Sequence, residues 1–211
     1  MTQAIAIEKL TLHALKQKFD LQQSDDNRFF LEWQPPLPAL SDFEKERLDR
    51  IKAVYENLED RAVLERAVNI AIVGPLLDSV GLFLPPFYME TEKSVEIFAT
   101  EEDTKLRGRL DILIIKDLLW VLTIESKQSG FSLKPGIPQL LAYMLAAPTA
   151  QQTLYGLVTN GSNFMFLKLS RHPNLIYARS KEFIINQDAD LEQTLQVLKK
   201  LAGIAASTPT P

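Results

Sequence analysis

The sequence predicts an α/β fold in which helices flank a central mixed β-sheet. Two apolar runs, residues 110–115 and 118–124, lack polar alternation and so indicate central strands that are buried on both faces. Segments with helical apolar spacing lie before these runs, between later strands and near the end of the chain. This order of elements is typical of an αβ sandwich.

The first forty residues carry the weakest signals. An imperfect apolar stripe over residues 5–19 predicts a short helix, and residues 28–33 predict a strand. The proline cluster at 35–38 stops that strand, and we interpret it as a stiff connector in preference to a ligand for an SH3-like partner. We therefore assign residues 1–40 to an N-terminal arm, 41–204 to the main domain and 205–211 to a disordered tail.

Two helices are predicted before the strands. Ser41 and Glu44 have the spacing of a capping box, so the first helix begins at this point. A second apolar stripe begins near Leu64 and reaches Gly74-Pro75. We expect that helix to kink or end there, because proline has no N–H for the helical ladder.

The rest of the chain predicts mainly paired strands. The two apolar runs form a hairpin through Lys116-Asp117, and Asn160-Gly161 is a strong turn signal for a second hairpin. In chain order, the other expected features are a weakly alternating strand at 94–99, an acidic turn at 100–104, a loop at 129–136, a helix at 138–147, paired strands at 154–159 and 164–169, a strand at 175–178 and a helix at 191–201.

The composition is ordinary for a soluble protein. Of 211 residues, 46% are hydrophobic and 24% charged, and the lack of cysteine excludes disulfides and thiolate metal sites. No apolar run approaches the roughly 18 residues that span a bilayer, so we expect a cytoplasmic protein with no membrane partner. A net charge of −4 argues against nonspecific nucleic-acid binding over the whole surface, but it is compatible with a local basic groove.

Three charged residues interrupt or end the apolar runs: Asp111, Glu125 and Lys127. Burial of a charge is costly unless the charge is paired or bound to a metal. Metal-dependent phosphodiester hydrolysis uses this set of groups, since Mg²⁺ prefers oxygen ligands and the reaction needs an activated water. We expect Asp111 and Glu125 to hold the metal together with the Ser126 main-chain carbonyl. Lys127 would then orient the water.

The register of the hairpin decides whether this site can exist. A three-residue connection, 116–118, would place Asp111 opposite Thr123 and on the same face as Glu125. A two-residue connection would move Asp111 to the other face, because side chains alternate along a strand. The site therefore requires the first register or a β-bulge.

Polar residues on two helices extend the pattern. Gln139 and Tyr143 are spaced i, i+4, so they share one face of the helix that follows the hairpin. We expect them to support the substrate or the metal site. Glu65 lies beside the apolar stripe of the second helix rather than opposite it.

Three segments resemble the D…ExK…QxxxY signature of the PD-(D/E)xK nuclease superfamily: Gly108-Arg109-Leu110-Asp111, Ile124-Glu125-Ser126-Lys127 and Gln139-Leu140-Leu141-Ala142-Tyr143. The similarity is to restriction-endonuclease-like domains of the RecB and type I restriction R-subunit kind, and it covers about residues 58–170. It implies a restriction-endonuclease-like sandwich and an endonuclease that acts on DNA with Mg²⁺, or Mn²⁺ as a substitute. The sequence departs from the signature in having no proline before Asp111.

The resemblance also implies further roles and partners. Glu65 would assist metal binding, and Arg109 would contact phosphate. Cleavage of both DNA strands needs two active sites, so we expect a homodimer with Phe29, Phe30 and Trp33 as its contact. The sequence contains no helicase P-loop, so a helicase or methyltransferase partner would be supplied by another chain.

Other interpretations stay open at this stage. The fold could be a catalytically inactive module that binds DNA or protein, which the acidic isoelectric point favours, or it could hydrolyse another phosphate ester. The residue-level alternatives are a buried ion cluster of the three charged residues, a surface pair of Glu65 with Arg61 or Arg66, and a packing role for Gln139 and Tyr143.

Overall fold

The computed structural model describes residues 3–60, 64–98, 104–128 and 132–208. Within these ranges nine strands form one mixed sheet with helices on both faces, which confirms the α/β fold class. The strands are β1 Gln3–Ala6, β2 Gln22–Gln23, β3 Phe87–Phe98, β4 Thr104–Lys116, β5 Leu119–Ser126, β6 Thr153–Thr159, β7 Asn163–Ser170, β8 Ile176–Arg179 and β9 Phe183–Ile184. The helices are α1 Leu12–Phe19, α2 Asp42–Leu58, α3 Glu65–Val68, α4 Gly74–Ser79, α5 Gly136–Leu145 and α6 Asp190–Ser207, with 3₁₀ turns at Ile7–Lys9 and Leu31–Trp33 and a π-helical turn at Asn69–Val73.

The strand order makes β4 and β5, which carry the predicted charged residues, neighbours inside the sheet. It runs β1-β4-β5-β6-β7-β8-β2, with β3 also paired to β4 and β9 to β7. Strands β5 and β6 are parallel, as expected when a helix, here α5, connects them. This crossover places the end of β5 beside the start of α5.

Each face of the sheet has its own apolar core. On one face, α2, α4 and α6 pack with strand residues such as Ile112 and Phe166. On the other face, α1 and α5 pack with strand residues such as Leu113 and Leu167. Burial on both faces explains why the central strands read as apolar runs without alternation.

The β4–β5 hairpin combines a short turn with a β-bulge. Lys116 pairs with Leu119, so residues 117–118 form the connection, and the three-residue connection does not occur. The register shifts between Ile114 and Ile115, where β5 contributes one additional residue. The bulge is the second of the two arrangements that the predicted site allowed.

Helix α2 begins with the predicted capping box. The Ser41 hydroxyl accepts a hydrogen bond from the Glu44 N–H at 3.2 Å, and the Glu44 carboxylate accepts one from the Ser41 N–H at 2.7 Å. These bonds satisfy two of the amides that a helix start leaves without partners. Lys199 of α6 donates to the same carboxylate at 2.7 Å, so the cap also joins α2 to α6.

The helix that was expected to kink or end at Gly74-Pro75 does not end there. Helix α3 continues through the π-helical turn into α4, and Pro75 lies in the first turn of α4. The Gly74 N–H donates to the carbonyl of Asn69, which closes the wider ring of a π-turn. The widened turn allows Pro75, which has no N–H to donate, to follow without ending the helix.

The N-terminal predictions are confirmed for a short helix at residues 12–19 and wrong for residues 5–11 and 28–33. Residues 5–19 divide into the end of β1, a 3₁₀ turn and α1, because β1 pairs in parallel with β4. Residues 28–33 form turns instead of a strand. Phe30 is buried in the apolar core that also contains residues of α2 and α6, and Phe29 and Trp33 pack against this core. Burial removes Phe30 from the expected dimer contact, while the homodimer itself stays a prediction.

The C-terminal half follows the sequence pattern closely. Strands β6 and β7 form the predicted hairpin, and Gly161 takes the left-handed φ of 88° that favours glycine in the turn. Helix α6 continues to Ser207, so residues 205–207 are helical where a disordered tail was expected.

Two predicted segments extend beyond the described ranges. Residues 100–103 of the acidic turn and 129–131 of the loop lie outside them, and Thr104 begins β4. Within the described residues, no helix has the length and apolarity that crossing a membrane requires.

Candidate active site

The predicted charged residues meet between the middle of β4 and the end of β5. One position beyond the Ile112–Ile124 pair, the bulged register brings Asp111 opposite Glu125. Without the extra residue, Ile124 would occupy that position. The Lys127 N–H donates to the Thr159 carbonyl of β6 at 2.7 Å, which holds Lys127 in line with β5.

The Asp111 carboxylate is hydrogen-bonded to the end of β5. Its Oδ2 accepts a hydrogen bond from the Ser126 N–H at 2.6 Å. The Ser126 hydroxyl in turn donates to the side-chain oxygen of Asn69 in the π-helical turn. The helical segment, β4 and β5 are thereby connected at the site.

Lys127 is held between two oxygen acceptors. Its Nζ donates to Glu125 Oε1 at 2.5 Å and to Gln139 Oε1 on α5. The Gln139 amide nitrogen donates to the Glu8 carbonyl at 3.2 Å. Gln139 therefore orients Lys127 and also joins α5 to the N-terminal segment.

Glu125 is a buried carboxyl group whose charged form would be only partly compensated. The residue is 5% exposed, and its Oε2 has no hydrogen-bond partner among the described residues. Burial raises the pKa of Glu125 to about 8, repulsion from Asp111 adds to the rise, and Lys127 lowers it. Burial also raises the pKa of Asp111 above its usual value. The hydrogen bond from the Ser126 N–H lowers this pKa, but burial has the larger effect.

Two glycines allow α5 and β4 to approach the site closely. A Cβ at Gly136 would lie 2.8 Å from Val158 Cγ1 and 3.3 Å from Lys127 Cε. A Cβ at Gly108 would lie 2.9 Å from Tyr143 Cε1. Tyr143 is buried, and its hydroxyl donates to the Arg109 carbonyl at 3.2 Å, so it positions the backbone of β4.

An open cleft of about 550 Å³ leads to Asp111. Its lining residues come from the helical segment, the loop after α4, β3 and β4: Glu65, Arg66, Asn69, Ile70, Gly74, Phe83, Met89, Thr91, Glu92, Arg109, Asp111 and Ile112. Glu65 and Arg109 are exposed on its walls.

The carboxylates do not form a preassembled three-ligand centre. Within the described ranges, no three Asp, Glu or His side chains are grouped closely enough to hold a metal ion together. Asp111 and Glu125 are instead a close pair, and Glu65 acts on both as a repelling charge from the exposed start of α3. A pair of this kind fits Mg²⁺, which commonly takes one or two protein carboxylates and completes its shell with water and substrate oxygens.

Sequence reasoning missed two residues at the site. The Asn69 side-chain oxygen accepts a hydrogen bond from the Ser126 hydroxyl. The i, i+4 spacing of Asn69 from Glu65 is the sequence signal that could have identified it. Glu92 pairs with Arg109 at 3.5 Å and with Arg66 at 3.6 Å across the cleft. No motif marks Glu92, because the register of β3 on β4 places it there. Arg66 thus pairs with Glu92 rather than Glu65, and Arg61 lies outside the described residues.

Comparison with family models and with curated proteins gives no match. Among solved structures, the chain is similar to a fragment assigned as an HsdR subunit of a type I restriction enzyme from Vibrio vulnificus YJ016, with 17% sequence identity and a TM-score of 0.41. The similarity covers 70% of this chain and 27% of that chain. The likeness is distant and is limited to the mixed αβ architecture.

Proposed function

We propose that this chain is a Mg²⁺-dependent nuclease that hydrolyses phosphodiester bonds in DNA, with Mn²⁺ able to replace Mg²⁺. The observation that carries the proposal is the incompletely compensated carboxylate pair formed by Asp111 in the middle of β4 and Glu125 near the end of β5. Glu125 Oε2 is buried without a partner among the described residues, and Asp111 lies close enough to raise the Glu125 pKa. Lys127 cannot neutralise both carboxylates, whereas a divalent cation can.

The donor set suits a hard cation. Asp111 and Glu125 would hold the ion, the Ser126 carbonyl would be a third oxygen ligand, and Glu65 would assist from the cleft wall. When bound, Mg²⁺ would lower the pKa of a coordinated water and neutralise charge on the phosphate.

The contacts of Lys127 support a role for it in the chemical step. Its ammonium group has three protons, and two of them are directed at Glu125 and Gln139. The third proton is available to orient the attacking water or to donate to a phosphate oxygen. Gln139 and Glu125 keep this group in place before substrate binds, and Arg109 on the cleft wall would contact a phosphate of the DNA.

The proposal is tested by cleavage of supercoiled, linear and single-stranded DNA with Mg²⁺ or Mn²⁺. We expect Lys127→Ala to lower the cleavage rate by about 100-fold or more, because an oriented proton donor typically contributes this much. Lys52→Ala is the matched control, since Lys52 is an exposed lysine of α2. It should cleave like the wild type.

Other outcomes separate the alternatives. Wild-type cleavage no faster than that of Lys127→Ala would contradict the nuclease, and DNA binding without cleavage would favour an inactive module. Hydrolysis of bis(p-nitrophenyl) phosphate alone would indicate a different phosphate ester as the substrate. A Mn²⁺ titration that is the same for wild type and Asp111→Asn would argue that the carboxylates form only a structural ion cluster.

A further inference from the structure

We propose that the cleft beside Asp111 holds one unstacked nucleotide, so that the substrate class is single-stranded DNA. This inference rests on the proposed nuclease function and names the form of DNA that the same site accepts. It follows from the cleft's apolar wall, its cations and its size.

The cleft has an apolar wall that the protein itself leaves uncovered. Ile70 is 78% exposed, Met89 is 42% exposed and Phe83 is 36% exposed, and all three line the cleft. They come from the π-helical turn, the loop after α4 and β3. Three separate elements therefore direct large apolar side chains into one concave surface, which is typical of a ligand-binding site.

Two arginines line the same cleft. Arg66 of α3 and Arg109 of β4 both pair with Glu92 of β3, at 3.6 and 3.5 Å. These pairs are exposed, so each contributes little stability and can be replaced by a phosphate at small cost. Guanidinium groups bind phosphate oxygens in a bidentate manner. The cleft thus combines an apolar surface with two arginines that can contact phosphate, beside the carboxylates of Glu65, Glu92 and Asp111.

Glu92 has a strained backbone at this point. Its φ of 53° is left-handed, which is uncommon for a residue other than glycine. It lies between the Thr91–Ile112 and Lys93–Leu110 pairs, and so opposite Asp111. Strain of this kind persists where the surrounding structure requires it, often at ligand sites. Here it accompanies a carboxylate that holds both arginines on the cleft.

A single strand fits this combination better than a duplex. In a duplex the base faces are stacked on each other, so an apolar wall has nothing to contact, whereas in a single strand they can stack on side chains. The volume of about 550 Å³ is in the range of pockets for small ligands. The cleft presents two cations, while tight duplex binders commonly make roughly 6–10 phosphate contacts.

The test is fluorescence anisotropy with a labelled oligothymidine and a hairpin duplex of equal nucleotide number. Binding is measured with Ca²⁺ and, separately, with EDTA. We expect the wild type to prefer the single strand, and Phe83→Ala to weaken single-strand binding by about 5- to 100-fold, the equivalent of one lost stacking contact. Ile70→Ser, at a highly exposed position, repeats the test with little risk to folding.

Leu84→Ala is the matched control, because Leu84 adjoins Phe83 and is exposed but does not line the cleft. It should bind like the wild type. Equal affinity for duplex and single strand, or unchanged single-strand binding by both Phe83→Ala and Ile70→Ser, would overturn the inference.

The two proposals can fail separately. A single-strand preference that depends on Phe83, without any cleavage, would support the nucleotide site and contradict the nuclease. Efficient duplex cleavage by Phe83→Ala would support the nuclease and contradict the nucleotide site.

Discussion

Glu125 is the residue at which folding and the proposed function conflict most. Its side chain is buried, one oxygen pairs with Lys127, and the other has no partner among the described residues. A carboxylate in this state destabilises the folded protein when it is ionised, because burial and Asp111 both oppose its charge. Natural proteins commonly retain such local costs at functional sites.

This conflict predicts a pH-dependent effect of Glu125→Gln on stability. The pKa of Glu125 rises from 4.5 to about 8 on folding, so the folded state binds more protons and wild-type stability falls as the pH rises across that interval. In EDTA we expect Glu125→Gln to be more stable than wild type at pH 8–9, by on the order of a few kcal/mol. The difference should shrink towards pH 5.

Urea unfolding at several pH values measures the effect. Glu56→Gln, at an exposed position of α2, is the control and should follow the wild type. If Glu125→Gln is no more stable than wild type at high pH, the pair with Lys127 is sufficient to compensate the buried charge.

At the scale of elements, the site depends on how closely α5 approaches the end of β5. The bulge in the β4–β5 hairpin sets Asp111 opposite Glu125, and Gly136 allows the start of α5 to lie against Lys127 and Val158. Gln139 is then within hydrogen-bonding distance of Lys127. A small residue at the start of α5 thus allows the contact that positions Lys127, the proposed catalytic lysine.

Gly136→Ala tests this packing. Its added methyl would lie 2.8 Å from Val158 Cγ1, so we expect a loss of about 1–3 kcal/mol in the free energy of unfolding and weaker Mn²⁺ binding. Gly203→Ala is the comparison, because Gly203 lies inside α6 with no atom near its Cβ position. There we expect a gain of up to about 1 kcal/mol from helix propensity, with unchanged Mn²⁺ binding. Equal effects of the two changes in urea unfolding would contradict the close approach.

At the scale of the whole molecule, the N-terminal segment contributes two strands to the sheet. Strand β1 pairs with β4, and β2 pairs with β8. Glu32 accepts hydrogen bonds from Lys168 at 2.6 Å and from Tyr155 at 2.7 Å, on the wall of a second cavity of about 430 Å³. The segment thus contributes edge strands and a largely buried ion pair.

We therefore expect removal of residues 1–40 to abolish cooperative folding. The deletion would remove four side chains that are almost fully buried, namely Ile7, Leu15, Leu21 and Phe30. It would also leave Lys168 without its carboxylate partner, which is costly at a buried position. Near-ultraviolet circular dichroism and thermal unfolding of residues 41–211 check this. A sharp thermal transition in the shortened chain would show that the main domain folds by itself.

The sequence predicted well those features that depend on local chemistry. The capping box of Ser41 and Glu44, the turn at Asn160-Gly161 and the buried strands on either side of the bulge all arise from neighbouring residues. The prediction failed at residues 28–33, where partners distant in sequence decide the outcome, and the helix does not end at Pro75. Phe30 packs into the core, and its segment forms turns instead of a strand. The π-helical turn before α4 allows the helix to continue through Pro75.

For the candidate site, the sequence by itself determined which charges lie within apolar strands, and that Asp111 and Glu125 need a common face. Only the tertiary structure decided that a bulge supplies this face, that Gln139 holds Lys127, and that Asn69 and Glu92 belong to the site. The physical reason is the range of the interactions. Burial and alternation follow from the residues of one strand. Strand register, the approach of a helix to the sheet and charge pairing across a cleft depend instead on contacts between separate elements.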